Sequence, residues 1–229
     1  MRIAAIPVLA AVLALVPGCD RVRSFADAAA AGRFDATCAK LPPGAVEVVL
    51  LPHGATVDRS RPQDDLGRLG RNTSPGHRVV GLTQATFGYR TSIDLEGLED
   101  ARGGRACAPA RVRVEVELSG MTIYVAREYA HDPCAEPLIL AHERQHVAVF
   151  EAYADEATRR LARDLGARYG GAPRRGTTMP ALQAALESEL RDWLDAFMAR
   201  ARDELAVRNA EVDTADAYAS LAQHCGPPT

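Results

Sequence analysis

Residues 111–149 read RVRVEVELSGMTIYVAREYAHDPCAEPLILAHERQHVAV, and a change of period inside that stretch decides the fold. From Arg111 to Leu118 charged and apolar residues alternate, the period-two pattern of a half-buried strand. Ser119-Gly120 then reads as a turn, which would make Met121 to Ala126 the antiparallel hairpin partner of the first run. Beyond Glu136 the spacing becomes three and four. Leu138, His142, His146, Val149, Tyr153 and Ala157 share one stripe of a helix. Pro137 suits a first turn and Gly170-Gly171 a stop, so this helix is expected from Glu136 to Tyr169.

Working outward, the text from Leu41 to about Arg127 is broken by Gly and Pro clusters such as Pro42-Pro43-Gly44 and Gly103-Gly104. Between them lie short β-branched runs, of which Val46 to Leu51 is one, and a short helix is expected near Asp64 to Leu69. Downstream, a polar loop from Gly170 to Pro180 leads into a second long helix, Ala181 to about Asn209. A last short helix, capped by Asp213 or Thr214, would run to His224. Strands first and helices after describe an α+β fold: an antiparallel β-rich half over 41–130, then a helical half over 135–229, in one domain. With 229 residues, 47% of them hydrophobic, the chain can bury a core, and wholesale disorder is excluded. A net charge of −3 and a pI of 6.1 exclude a nucleic-acid partner, which requires a basic face. The oligomeric state is left open.

The first eighteen residues, MRIAAIPVLAAVLALVPG, hold one basic residue and then an apolar run too short to span a bilayer. They read as a secretion signal. Val16-Pro17-Gly18-Cys19 resembles a bacterial lipobox, so residues 1–19 are expected to be a signal peptide ending in a lipidated Cys19, with 20–40 as tether or short helix. The alternative is an ordinary signal peptide, cleaved nearby to give a soluble periplasmic or secreted chain. Export also accounts for the cysteines. Cys38, Cys107, Cys134 and Cys225 are even in number, and an oxidising compartment makes two disulfides the default. Four cysteines allow three connectivities. The pairing Cys38 with Cys107 and Cys134 with Cys225 is favoured, because the second bridge would tie the C-terminus beside the first long helix.

One pentapeptide carries chemistry: His142-Glu143-Arg144-Gln145-His146, an HExxH motif. Two imidazoles four apart lie about 40° apart around a helix and one turn apart along it, so both can reach one metal ion. Glu143, next to the first of them, is placed to take a proton from a water that zinc has made acidic. The plain alternative is a pair of satisfied core histidines, but a chain of this composition contains the motif by chance only about once in a hundred.

The segment from Pro133 to Val149 resembles the active-site helix of zincin metallopeptidases, and a β-rich half leading into that helix resembles their layout. The likeness extends in particular to exported bacterial families of unknown function expected to be zinc proteases. It implies one Zn2+ per chain on His142 and His146, Glu143 as general base, and a peptide or protein substrate. It further implies that the strand ending near Tyr124-Val125 is the edge on which an extended peptide pairs. Metzincins carry a third histidine ten residues after the first, and that position is Ala152 here. Gluzincins draw a glutamate from the following helix, which offers Glu187, Glu189 or Glu204. Aspzincins use a Thr-x-Asp-x-x-Tyr-like segment, and Asp213-Thr-Ala-Asp216-Ala-Tyr218 falls one residue short of that pattern. Asp213 therefore ranks first as third ligand, ahead of Asp216 and Glu211, with His224 and His131 behind. A plain helix cap explains Asp213 equally well. Tyr218 or His131 would stabilise the oxyanion, with Tyr218 otherwise a core residue. The expected activity is zinc-dependent peptide hydrolysis in the bacterial cell envelope. The alternative is an envelope lipoprotein that binds metal without turnover, or acts as a scaffold.

Overall fold

A computed structural model describes residues 19–70, 78–214 and 224–225, with side chains from residue 27 onward. The signal segment, the Cys19 side chain, Asp216 and Tyr218 lie outside what is described. The order is α1 Cys19–Cys38, β1 Ala45–Leu50, β2 Thr56–Asp58, α2 Gln63–Leu69, β3 Gly81–Leu95, β4 Leu98–Asp100, β5 Arg105–Ala108 and β6 Ala110–Val125. A 3₁₀ turn at Arg127–Tyr129 then precedes α3 Ala135–Tyr169, β7 Arg174–Gly176 and α4 Met179–Ala210. The architecture is α+β, as the sequence leads one to expect.

The expected hairpin is not there. Residues 111–125 do not fold back at Gly120 but continue as one strand, β6, whose antiparallel partner along its whole length is β3. Gly120 has φ +61°. It uses that left-handed conformation for a β-bulge: Gly120 and Met121 stand opposite the single residue Ala85, between the pairs Ser119↔Thr86 and Thr122↔Gln84. The extra residue changes the phase of the strand. Val112, Val114, Val116 and Leu118 point inward before it, and Met121, Ile123 and Val125 after it. The sequence shows the same shift in its apolar positions, and a turn and a bulge share that signature.

The sheet is mixed rather than wholly antiparallel. On its other side β6 pairs in parallel with β1 over 111–116 and with β2 over 122–124. Residues 51–55 pass by the bulge between those two. Tyr124 and Val125 therefore belong to a central strand, which overturns the expectation of a substrate edge there. The outer edge of β3 has no strand partner among the described residues. A small second sheet has the order β4-β5-β7.

The helices cover the inward face. Leu182, Leu186, Leu190 and Leu194 of α4 recur every four residues and pack with Leu161 and Leu165 of α3 against Val112, Val114 and Val116. Full burial stabilises each such side chain by about 1.5–3 kcal/mol, so this stripe fixes where α4 lies. Thr178 caps α4 by accepting from the Ala181 N–H at 3.2 Å. At the far end polar contacts join the two helices. Glu204 accepts from the Tyr153 hydroxyl at 2.9 Å and from Arg160 at 2.6 Å, and Arg208 pairs with Glu156 at 2.8 Å. Burial, then the neighbouring Glu204 carboxylate, pushes the Tyr153 hydroxyl up to about 12.

Two disulfides, Cys38–Cys107 and Cys134–Cys225, have Cα separations of 6.0 and 5.7 Å. This is the pairing favoured from sequence. Among the described residues no helix is long and apolar enough to cross a membrane.

A Cβ added at Gly120 would meet nothing within 4 Å, so its cost is that of the backbone alone. Gly120→Ala is expected to lose about 1–2 kcal/mol in urea unfolding, the penalty of a left-handed non-glycine residue. An unchanged midpoint would count against the bulge.

Candidate metal centre

α3 presents His142 and His146 one turn apart, and Asp213 arrives three residues beyond the end of α4. Each histidine Nε2 lies 3.2 Å from the same oxygen, Asp213 Oδ1. The three ligand atoms all fall within 4.8 Å of one another. Tetrahedral zinc with bonds of about 2.0–2.1 Å sets its ligands about 3.3 Å apart, so two imidazole nitrogens and a carboxylate oxygen at these distances suit one such ion. Burial, then the neighbouring His146, holds the His142 imidazole below its ordinary pKa. A neutral ring is the form that ligates a metal.

The other sequence candidates are placed elsewhere. Glu204 is taken by Tyr153 and Arg160, and Glu189 by Arg168 and Arg174 at 2.8 and 2.6 Å. Glu187 accepts from Gln183 at 2.6 Å. These three departures remove the gluzincin arrangement. Glu211 sits at the C-cap of α4 and lines a neighbouring cavity. His131 stands before α3 with φ +67°, its N–H donated to Glu136, and His224 adjoins the Cys134–Cys225 bridge. Neither belongs to the three-residue group. Asp213 turns its carboxylate to the histidines, and the residues of the short helix it was expected to cap lie outside what is described, apart from 224–225.

Glu143 is buried at 4% exposure. The Thr83 hydroxyl donates to its Oε2 at 2.8 Å and lies 3.1 Å from its backbone carbonyl. That hydrogen bond favours the charged form, but burial opposes it and wins, pushing the carboxyl up to about 7. Gly81, two residues before Thr83, makes the approach possible. A Cβ there would lie 2.5 Å from Glu143 Oε1 and 2.7 Å from Ile139 Cγ2.

Two residues that the motif alone does not reveal complete the centre. One is Thr83, just described. The other is Asn209, whose Oδ1 accepts from His146 Nδ1 at 2.9 Å while its Nδ2 donates to the Leu205 carbonyl at 2.9 Å. The second bond fixes which way the amide points. The first then places the proton of His146 on Nδ1 and leaves the Nε2 lone pair toward Asp213. A cavity of about 560 Å³ opens beside the centre, between Gln145, Val149 and Ala152 of α3 and Arg208, Glu211 and Val212.

The chain matches no family model, no curated protein and no solved structure. The reading of the site thus rests on its own geometry.

Asn209→Leu should weaken zinc binding about 10–100-fold in competition with a chromogenic chelator, and Asn209→Asp, which keeps the acceptor, should restore most of it. Equal affinity in the wild-type and leucine proteins would remove Asn209 from the centre.

Proposed function

We propose that the protein is an exported zinc-dependent peptidase, with one zinc held by His142, His146 and Asp213. The observation that carries this reading is the carboxylate of Glu143, buried beside the three ligands and held at one oxygen. A centre that merely braced the fold would gain nothing from a buried carboxyl poised near neutrality. Zinc bound there would supply Lewis acidity toward a water and a peptide carbonyl.

The remaining work falls to the chain. Thr83 holds Oε2, so Oε1 is the atom that takes a proton from water and later yields it to the departing amine. Burial raises the proton affinity of that carboxyl, which favours its holding the proton between the two transfers. Asn209 orients His146. An extended substrate would pair with the outer edge of β3 rather than with β6, since Gly81 and Thr83 bring that strand against Glu143. The cavity below Gln145 would then receive one substrate side chain.

Export and anchoring through Cys19 belong to the same proposal. The signal-like opening and the two disulfides support it. Intact mass of the membrane fraction should show an acylated Cys19 as the first residue; an unmodified start further downstream would refute the anchor.

Glu143→Gln tests the mechanism. The variant should bind zinc as the wild type does and hydrolyse a quenched peptide library about 10²–10⁴-fold more slowly. Undiminished turnover would sink the assignment. Full zinc occupancy in the wild type with no hydrolysis of any peptide would leave a metal-binding protein without turnover.

A further inference from the structure

The two disulfides differ in exposure. Cys38, at the end of α1, and Cys107, in β5, are 1% and 0% exposed. Cys134 is exposed and Cys225 half-buried. Thiol–disulfide exchange needs a thiolate to reach one sulfur in line, so the second bridge is open to a reductant and the first is closed to it.

The open bridge is also the one joined to the metal centre. Cys134 is the N-cap of α3, eight residues before His142, or about 12 Å along the helix. Cys225 follows Asp213 by twelve residues. Asp213 lies past the last turn of α4, and its side chain is 39% exposed. Near it the backbone is held by two turn hydrogen bonds, Val212 N–H to the Asn209 carbonyl at 3.1 Å and Thr214 N–H to the Val212 carbonyl at 2.9 Å. The third ligand is therefore delivered by a segment tied at both ends. α4 holds one end, and the Cys134–Cys225 bond returns the other to the helix that carries the two histidines.

We propose that Cys134–Cys225 is a redox-sensitive clasp on the metal centre, whose reduction by a dithiol weakens the hold on zinc. In the exchange a dithiol thiolate attacks one sulfur of the bridge, and a mixed disulfide forms. The second thiol then displaces it. The dithiol leaves as a cyclic disulfide, and Cys134 and Cys225 gain two electrons and two protons. The segment after Asp213 then loses its covalent tie to the helix that carries the histidines. Bringing Asp213 to the histidines costs more conformational entropy, and its effective concentration at the metal falls. The proposal rests on the metal-binding part of the function given above and not on peptide hydrolysis.

The test uses the full-length chain loaded with zinc and no peptide substrate. A phosphine serves as the probe, because it delivers the same two electrons to the bridge, leaving as the phosphine oxide with oxygen from water, without offering thiols to the metal. As it is titrated, alkylation and peptide mapping are expected to mark Cys134 and Cys225 first, with zinc passing to a chromogenic chelator over the same range. In parallel, the paired variant Cys134→Ser with Cys225→Ser should bind zinc at least about tenfold more weakly than the wild type. The pair Cys38→Ser with Cys107→Ser, where it folds, should not. Cys38–Cys107 opening first would overturn the clasp. So would zinc affinity that is indifferent to the Cys134–Cys225 bond, or zinc retained after that bond alone has opened. An oxidised wild-type chain that takes up no zinc at all would overturn the metal centre itself, a result distinguishable from the others because it appears before any reductant is added.

Discussion

The docking of α4 along α3 is the interaction on which the candidate metal centre depends. Its apolar part is the leucine stripe of α4, four residues apart at each step, set between α3 and the valines of β6. Its polar part is the group around Glu204, close to where α4 ends. The two parts do different things. Apolar burial supplies most of the energy but tolerates sliding, whereas hydrogen bonds from Tyr153 and Arg160 to one carboxylate specify a register. A shift of α4 by a single turn, about 5.4 Å, would carry Asn209 away from His146 and Asp213 away from both histidines. A centre built from residues some seventy positions apart in sequence thus owes its geometry to packing far from any ligand.

Glu143, the proposed general base, depends on a second joint, between the sheet and α3. Glu143 touches the beginning of β3, where a glycine and a threonine alternate to give it space and a donor. The same carboxyl is stripped of water by that contact, so its position and its proton affinity come from one arrangement. Neither property can change without the other. This is why the strand that approaches Glu143 matters as much as the motif on the helix.

How much of this was legible in the sequence follows from how local each signal is. HExxH lies within two helical turns, and the long helices carry their own periodicity and caps, so all were readable. The exchange of a hairpin for a bulge at Gly120 was not. Ser-Gly between two apolar runs fits both, and what decides is whether β3, twenty-five or more residues earlier, supplies a partner along the whole length. The parallel placement of β1 and β2 is likewise a matter of distant pairing. Asp213 could be ranked first from its neighbourhood, but not separated from a helix cap. Asn209 and Thr83 have no sequence signature of their role: an Asn near a helix end and a Thr in a strand are ordinary there, and each gains meaning from a partner about sixty residues away.

The bulge in β6 has one more consequence. A strand whose phase slips at Gly120 behaves like a text with a reading frame. Val112 to Leu118 are inside in one frame, and Met121 to Val125 in the other. Removing Ser119 or Gly120 would take the bulge out and leave Met121, Ile123 and Val125 inside in plain alternation. Removing one residue from a regular stretch, with the bulge kept, would instead exchange inside for outside beyond the cut. Length variation along this strand among related chains should therefore come in steps of two, or else pass with the bulge itself, so that insertions and deletions here are quantised by the pleat.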